Sequence, residues 1–190
     1  MISAATFHVI TTELVVGSFA LAGISFVLCL LLNLQILSKQ SLRPAADSVA
    51  HAALLFGLLA TPFAVVSGIS SVPGGGLSSP ILVNKMLMSM TGFGFALSAL
   101  LCRWRMGDSV WNTPSSTWVQ AISGGAASTA MLLTASAGGT FTRGESLLDI
   151  LHLPYEHVLL FPVPLSGVYL LAGILLLVMG WKKSSSSIEH

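Results

Sequence analysis

Long apolar runs separated by short polar connections dominate this chain, and their lengths set the class of protein before any motif is considered. Residues 14–37, 49–72, 81–101, 118–137 and 158–181 each form such a run, nearly free of charge. A helix rises about 1.5 Å per residue, so about 20 residues cross the ~30 Å hydrocarbon layer of a bilayer. The pattern predicts an all-α polytopic membrane protein: a bundle of five transmembrane helices in a single domain over residues 1–183, with a disordered tail, SSSSIEH, over residues 184–190.

The connections carry ordinary helix punctuation. Asp47 and Ser48 stand before the second run as N-cap residues. Pro62 lies inside that run, removes a backbone donor and frees the carbonyl of Leu58, which predicts a kink. Pro73-Gly74-Gly75-Gly76, ending at Pro80, breaks the chain before the third run, and it lacks the Lys-Ser or Lys-Thr of a phosphate loop. Small residues four apart, Ser18 with Ala22, Gly92 with Ala96 and Gly94 with Ser98, allow helices to approach closely. Arg103, Trp104 and Arg105 end the third run as an interfacial anchor, and 108–117 is a polar loop containing Pro114. The fourth run is the least apolar. Gln120, Ser123, Ser128, Thr129, Thr134 and Ser136 place it inside the bundle, with hydroxyls bonded to neighbouring backbone.

Composition agrees with a bilayer environment. The chain is 54% hydrophobic and 8% charged, against about 25% charged in soluble domains, and its mean hydropathy is +0.86. A net charge of +1 and eight scattered Lys and Arg provide no basic field, which excludes nucleic-acid binding. Cys29 and Cys102 fall in apolar runs without metal-ligand spacing, so they read as packing residues rather than a disulfide or zinc site. Met86, Met88 and Met90 likewise read as adaptable packing. The first run has no basic segment before it and stays as a span rather than a cleaved signal peptide.

Charge asymmetry gives an orientation. Lys39, Arg43, Arg103, Arg105, Lys182 and Lys183 fall on one side, and Lys85 and Arg143 on the other. The positive-inside rule then places the N-terminus outside and the C-terminus in the cytoplasm of a prokaryotic plasma membrane. His8, Glu13, Glu145, Asp149, His152, Glu156 and His157 collect at the outer face, and Asp47 with His51 at the inner face. A weak echo, FHV then LAGI in the first run and EHV then LAGI in the last, differs by one residue in spacing and has chance similarity of apolar helices as its ordinary alternative; by topology both histidine-bearing segments enter the membrane from outside.

These histidines are the candidate chemistry. His8, His152 and His157 share one face, and two of them from different helices could clamp haem b, with Arg143 near a propionate. The ordinary alternative is an interfacial histidine bonded to water, a headgroup or a carboxylate. On the inner face, Asp47 four residues before His51 can orient its ring, and a second haem there would need a ligand from another chain. The simpler reading has Asp47 capping the helix and His51 at the headgroups. Glu13 is either a headgroup-exposed carboxylate or a proton-carrying one. No Ser/His/Asp order, HExxH or paired carboxylates give a hydrolase, so no catalytic or other metal-binding residue is assigned.

Four segments carry a family resemblance: FHVITTELVVGSFAL with its helix-end histidine, LLATPFAVVSGI, ALSALLCRW and GGTFTRG. Over residues 6–144 the chain resembles a family of small multi-pass prokaryotic membrane proteins known only as a domain of unknown function. It departs from that pattern at His8-Val9, where the family favours His-Pro, and at Arg143-Gly144, where the family favours His-Gly. The resemblance implies no reaction, and its suggestion of haem binding carries over to His8 alone.

The expectation that results is an integral subunit of a larger membrane redox complex, not catalytic by itself, with haem b at its outer face. Lipids and other membrane subunits are its expected partners, and lipid or quinone could fill its clefts. The alternative is a structural or assembly subunit with lipid-filled grooves. A transporter or channel is disfavoured, because the sequence shows no clear inverted repeat and no mid-membrane charge.

Overall fold

Polar caps and prolines set where the helices begin. In the computed structural model, which describes residues 2–72, 74, 78–145, 149, 168 and 171, the fold is all-α. Helix α1 (Ala4–Asn33) opens at Ser3, whose hydroxyl accepts from the Thr6 N–H at 3.1 Å. Helix α2 (Arg43–Ser71), α3 (Pro80–Met106) and α4 (Pro114–Arg143) all carry a proline in the first turn. There its missing N–H has no intrahelical partner to lose. Ser79 caps α3, and Thr113 caps α4 by accepting from the Ser116 N–H at 3.3 Å. At its far end α4 stops at Gly144, which takes the left-handed conformation at φ 73°. Glycine adopts that conformation without a Cβ clash, and its N–H closes on the Thr140 carbonyl at 3.1 Å.

Several boundaries differ from the sequence expectation for these reasons. Pro44 begins α2 ahead of Asp47, so Asp47 is not a cap: it lies in the second turn and is buried. Pro114 starts α4 inside the expected loop. Gly138 and Gly139 belong to α4, so GGTFTRG forms the last turns of a helix rather than a connection. Helix α2 also continues through Pro62, and the Thr61 hydroxyl donates to the Gly57 carbonyl at 2.8 Å one turn back.

Helix α1, α2 with its preceding turn (Gln40–Ser71), and α3 with the 3-10 turn after it (Pro80–Trp111) are each long and apolar enough to cross a membrane. The chain is thus a helical membrane protein with three candidate spans among the described residues. Helix α4, 30 residues long, is not one of the three. Its polar residues turn inward as expected, with Gln120, Ser123, Ser128 and Ser136 buried. By its contacts the chain divides into two units, Met1–Glu156 and His157–His190, and all four helices belong to the first. The expected fifth span (158–181) lies outside the described residues except for Val168 and Leu171, and the tail (184–190) lies outside them entirely.

Side-chain contacts make successive helices antiparallel. The start of α1 meets the end of α2 through His8 and Ser67, and the start of α2 meets the end of α3 through Asp47 and Arg103. The start of α3 meets the end of α4 through Lys85 and Gly138, and Asn33 at the end of α1 meets Thr117 at the start of α4. The main interfaces are α1 with α2 and α3 with α4, joined by α1 against α4, whereas α2 and α3 touch least of the neighbouring pairs.

Aromatic rings set into glycines hold α1 in place. Phe19 packs over Gly57 of α2 and Phe26 over Gly124 of α4, and both rings are fully buried among Cys29, Leu54, Ala96 and Met131. Ile24, Leu59, Phe63 and Val66 point outward, as lipid-facing residues do. A Cβ at Gly124 would clash with the Phe26 ring, while at Gly125 it would meet nothing within 4 Å among the described residues. Gly124→Ala is therefore expected to destabilise the fold by about 1–3 kcal/mol through overpacking. Gly125→Ala is expected to be neutral or to stabilise by up to about 1 kcal/mol through helix propensity. Thermal unfolding of the two variants in detergent checks this, and equal effects would refute the ring-over-glycine contact.

Candidate functional site

Two groups of polar contacts between helices lie at opposite ends of the bundle, and the two ends use them differently. At the end where α2 and α4 begin and α1 and α3 finish, they form one connected network centred on Asp47. Its Oδ1 accepts from the Trp111 indole N–H at 2.7 Å, and its Oδ2 accepts from Arg103 Nε at 2.8 Å. Arg103 also donates from Nη2 to the exposed Asp108 at 2.5 Å, tying the network to the 3-10 turn Gly107–Trp111. His51, one turn after Asp47, donates from Nδ1 to the Asp47 backbone carbonyl at 2.7 Å and lies 3.2 Å from Oδ1.

Gln120 completes the connection to α4. Its side chain is fully buried, and its Nε2 donates to the Ala99 carbonyl of α3 at 3.1 Å and to His51 Nε2 at 2.5 Å. This pattern assigns the imidazole the Nδ1–H tautomer, with Nε2 as acceptor. The same ring makes a T-shaped contact with Phe26 of α1, with centroids 5.2 Å apart at 78°. Two further bonds run alongside: Arg43 donates to Asn33 at 3.2 Å, and Asn33 donates to Thr117 at 3.0 Å. All four helices therefore meet in this network.

At the other end a cavity of about 340 Å³ opens between the helices. Its walls are mainly aliphatic and come from all four helices, with Val9, Val15, Ala64, Leu82, Met86 and Met131 among them. Polar groups are few: His8 and Thr12 of α1, Lys85 and Ser89 of α3, and Thr61 and Ser71 of α2 are among them. His8 Nδ1 lies 3.2 Å from the Ser67 hydroxyl, which in turn is 3.3 Å from Thr11 Oγ1. The His8 ring packs on Gly68, where a Cβ would come within 2.8 Å of it. Lys85 lies along α4 at Gly138, its Nζ 2.9 Å from where a Cβ there would stand.

The expected site residues separate accordingly. His8 lines the cavity, whereas His51 sits in the network at the opposite end with both ring nitrogens engaged by protein groups. Arg143 is largely exposed, 3.9 Å from Glu145, and does not line the cavity. His152 and His157 lie outside the described residues. Glu13 is exposed and borders a separate shallow groove with Gly17, Ser18, Ala53 and Phe56. Among the described residues no three His, Cys, Asp or Glu side chains come together to hold a metal. Cys29 and Cys102 are free thiols that pack with the apolar core.

Sequence reasoning passed over Trp111, Gln120 and Lys85 as site residues. The available signal was strongest at Gln120, a long amide in an apolar run that has to find partners inside the bundle. Lys85, a lone cation within the first turns of the third run, carried a similar signal but was used only to set orientation. No family model, curated protein or solved structure matches this chain.

Removing one member of the network leaves its partners buried and unpaired. Asp47→Ala strands the Trp111 N–H and half of the Arg103 guanidinium, with an expected loss of about 3–5 kcal/mol. Trp111→Phe removes one hydrogen bond and is expected to cost about 1–3 kcal/mol. Denaturation in detergent should rank Asp47→Ala well below Trp111→Phe, and Asp47→Ala with Arg103→Ala should cost less than the sum of the two single changes.

Proposed function

We propose that this chain is a structural, non-catalytic subunit of a larger membrane assembly in a prokaryotic plasma membrane, its N-terminus outside and its C-terminus in the cytoplasm. The observation that carries this reading is the use made of the buried polar groups. Asp47, His51, Arg103, Trp111 and Gln120 bond to one another across helices instead of facing a cleft where substrate could bind. A rigid scaffold with apolar outer faces is what such an arrangement serves. Support for partner chains comes from Gly17 and Gly94, which among the described residues have nothing within 4 Å of an added Cβ and leave room for another helix to approach.

A redox role with haem b is the second reading, favoured by the single observation that His8 lines a cavity at the expected outer face. It needs a second axial ligand from His152, His157 or another subunit. The two readings separate in one preparation, purified from native membranes in a mild detergent. The scaffold reading expects a complex well above the 19.8 kDa of the chain on a native gel, with no Soret band belonging to this subunit. A lone chain on that gel would overturn it. A Soret band that shifts on reduction and is lost with His8→Ala would establish the haem reading in its place.

A further inference from the structure

The cavity at the His8 end combines open volume, aliphatic walls and a lysine. At about 340 Å³ it lies within the ordinary range for small-molecule pockets. Four helices enclose it, and its aliphatic walls lie between α1 and α4 on one side and the sparsely contacting pair α2 and α3 on the other. Lys85 stands in this wall. Among the described residues it has no hydrogen bond and no ion pair, and no Asp or Glu lines the cavity with it. Gly138 is the reason the ammonium can lie against α4, because any side chain there would displace it. Thr12, also in the wall, holds a buried hydroxyl without a partner. An ammonium beside hydrocarbon is costly without a counter-charge. Glu13, the nearest carboxylate along α1, borders a different groove and supplies none.

We propose that this cavity binds a single-chain amphiphile with an anionic headgroup, the head held by Lys85 beside His8 and the chain lying along Val9, Val15, Leu82, Met86 and Met131. The charge selects the class: a neutral quinone or sterol would leave the ammonium uncompensated, while a carboxylate or phosphate head pairs with it by charge-assisted hydrogen bonds. A free fatty acid and a lysophospholipid present this same chemistry. The site does not depend on whether the chain assembles with other subunits.

The test uses the full-length protein in a nonionic detergent and a fluorescent long-chain fatty acid as probe. Saturable binding of one probe per chain is expected, displaced by unlabelled palmitate and by lysophosphatidic acid but not by methyl palmitate or a short-chain quinone. Displacement by lysophosphatidic acid more strongly than by palmitate assigns the head as phosphate, and the reverse order assigns it as carboxylate. Lys85→Met is expected to weaken probe binding at least tenfold, about 1.4 kcal/mol, and Lys85→Arg to retain most of it. Absence of saturable binding would overturn the proposal. So would methyl palmitate competing as well as palmitate, an outcome read on the unaltered protein even if Lys85→Met fails to fold.

Discussion

A carboxylate buried in an apolar bundle is the constraint on which the rest of this structure depends. Within a bilayer, apolar side chains gain little by leaving lipid for one another, so helix association rests on close packing and on polar bonds between helices. Asp47 provides the densest set of those bonds. Its two oxygens bind α3 through Arg103 and the following turn through Trp111, while its own helix presents His51 to Gln120 of α4. Each group is costly to bury alone and affordable only with all its partners in place. The network therefore selects one arrangement of four helices, where small-residue faces alone would permit several.

Packing along α1 then follows the same selection. Phe19 and Phe26 sit where glycines of α2 and α4 leave room for a ring, and the Phe26 ring meets His51 itself in a T-shaped contact. The aromatic contact and the polar network thus share a residue. A shift of α1 along α4 would lose the Phe26 contacts with Gly124 and His51 together, which couples the register of the first helix to the network although α1 supplies none of the Asp47 bonds.

Much of this was legible in the sequence. Apolar runs of membrane-spanning length gave the helical class, and the polar face of the fourth run gave its inward orientation, because both depend on local periodicity. The helix ends were less legible, since caps and first-turn prolines such as Pro44 and Pro114 extend helices beyond their apolar stretches. Asp47 was misread for a deeper reason. An Asp-Ser pair before an apolar run is an ordinary cap, and what makes it a counter-ion instead is Arg103, 56 residues away. No local pattern carries that pairing. The relation of Asp47 to His51 was visible, being four residues on one helix, but its extension to Gln120 was not.

The two described histidines that meet polar partners across the bundle show why the two ends differ in what they can do. His51 has a carbonyl on one nitrogen and an amide on the other, so binding anything further would break a bond that holds helices together. His8 is held more lightly, by a hydroxyl at 3.2 Å and a glycine face, at the edge of open volume. Its neighbour Lys85 extends the contrast: Arg103 meets two carboxylates, whereas Lys85 meets none among the described residues. Bonds from Asp47, Arg103, Trp111, His51 and Gln120 across three helices make the Asp47 end a clamp, in which the Gln120 side-chain oxygen alone stays without a partner among the described residues. Around Lys85 the cavity offers hydroxyls but no carboxylate among the described residues, and that is the place the proposed anionic head would take.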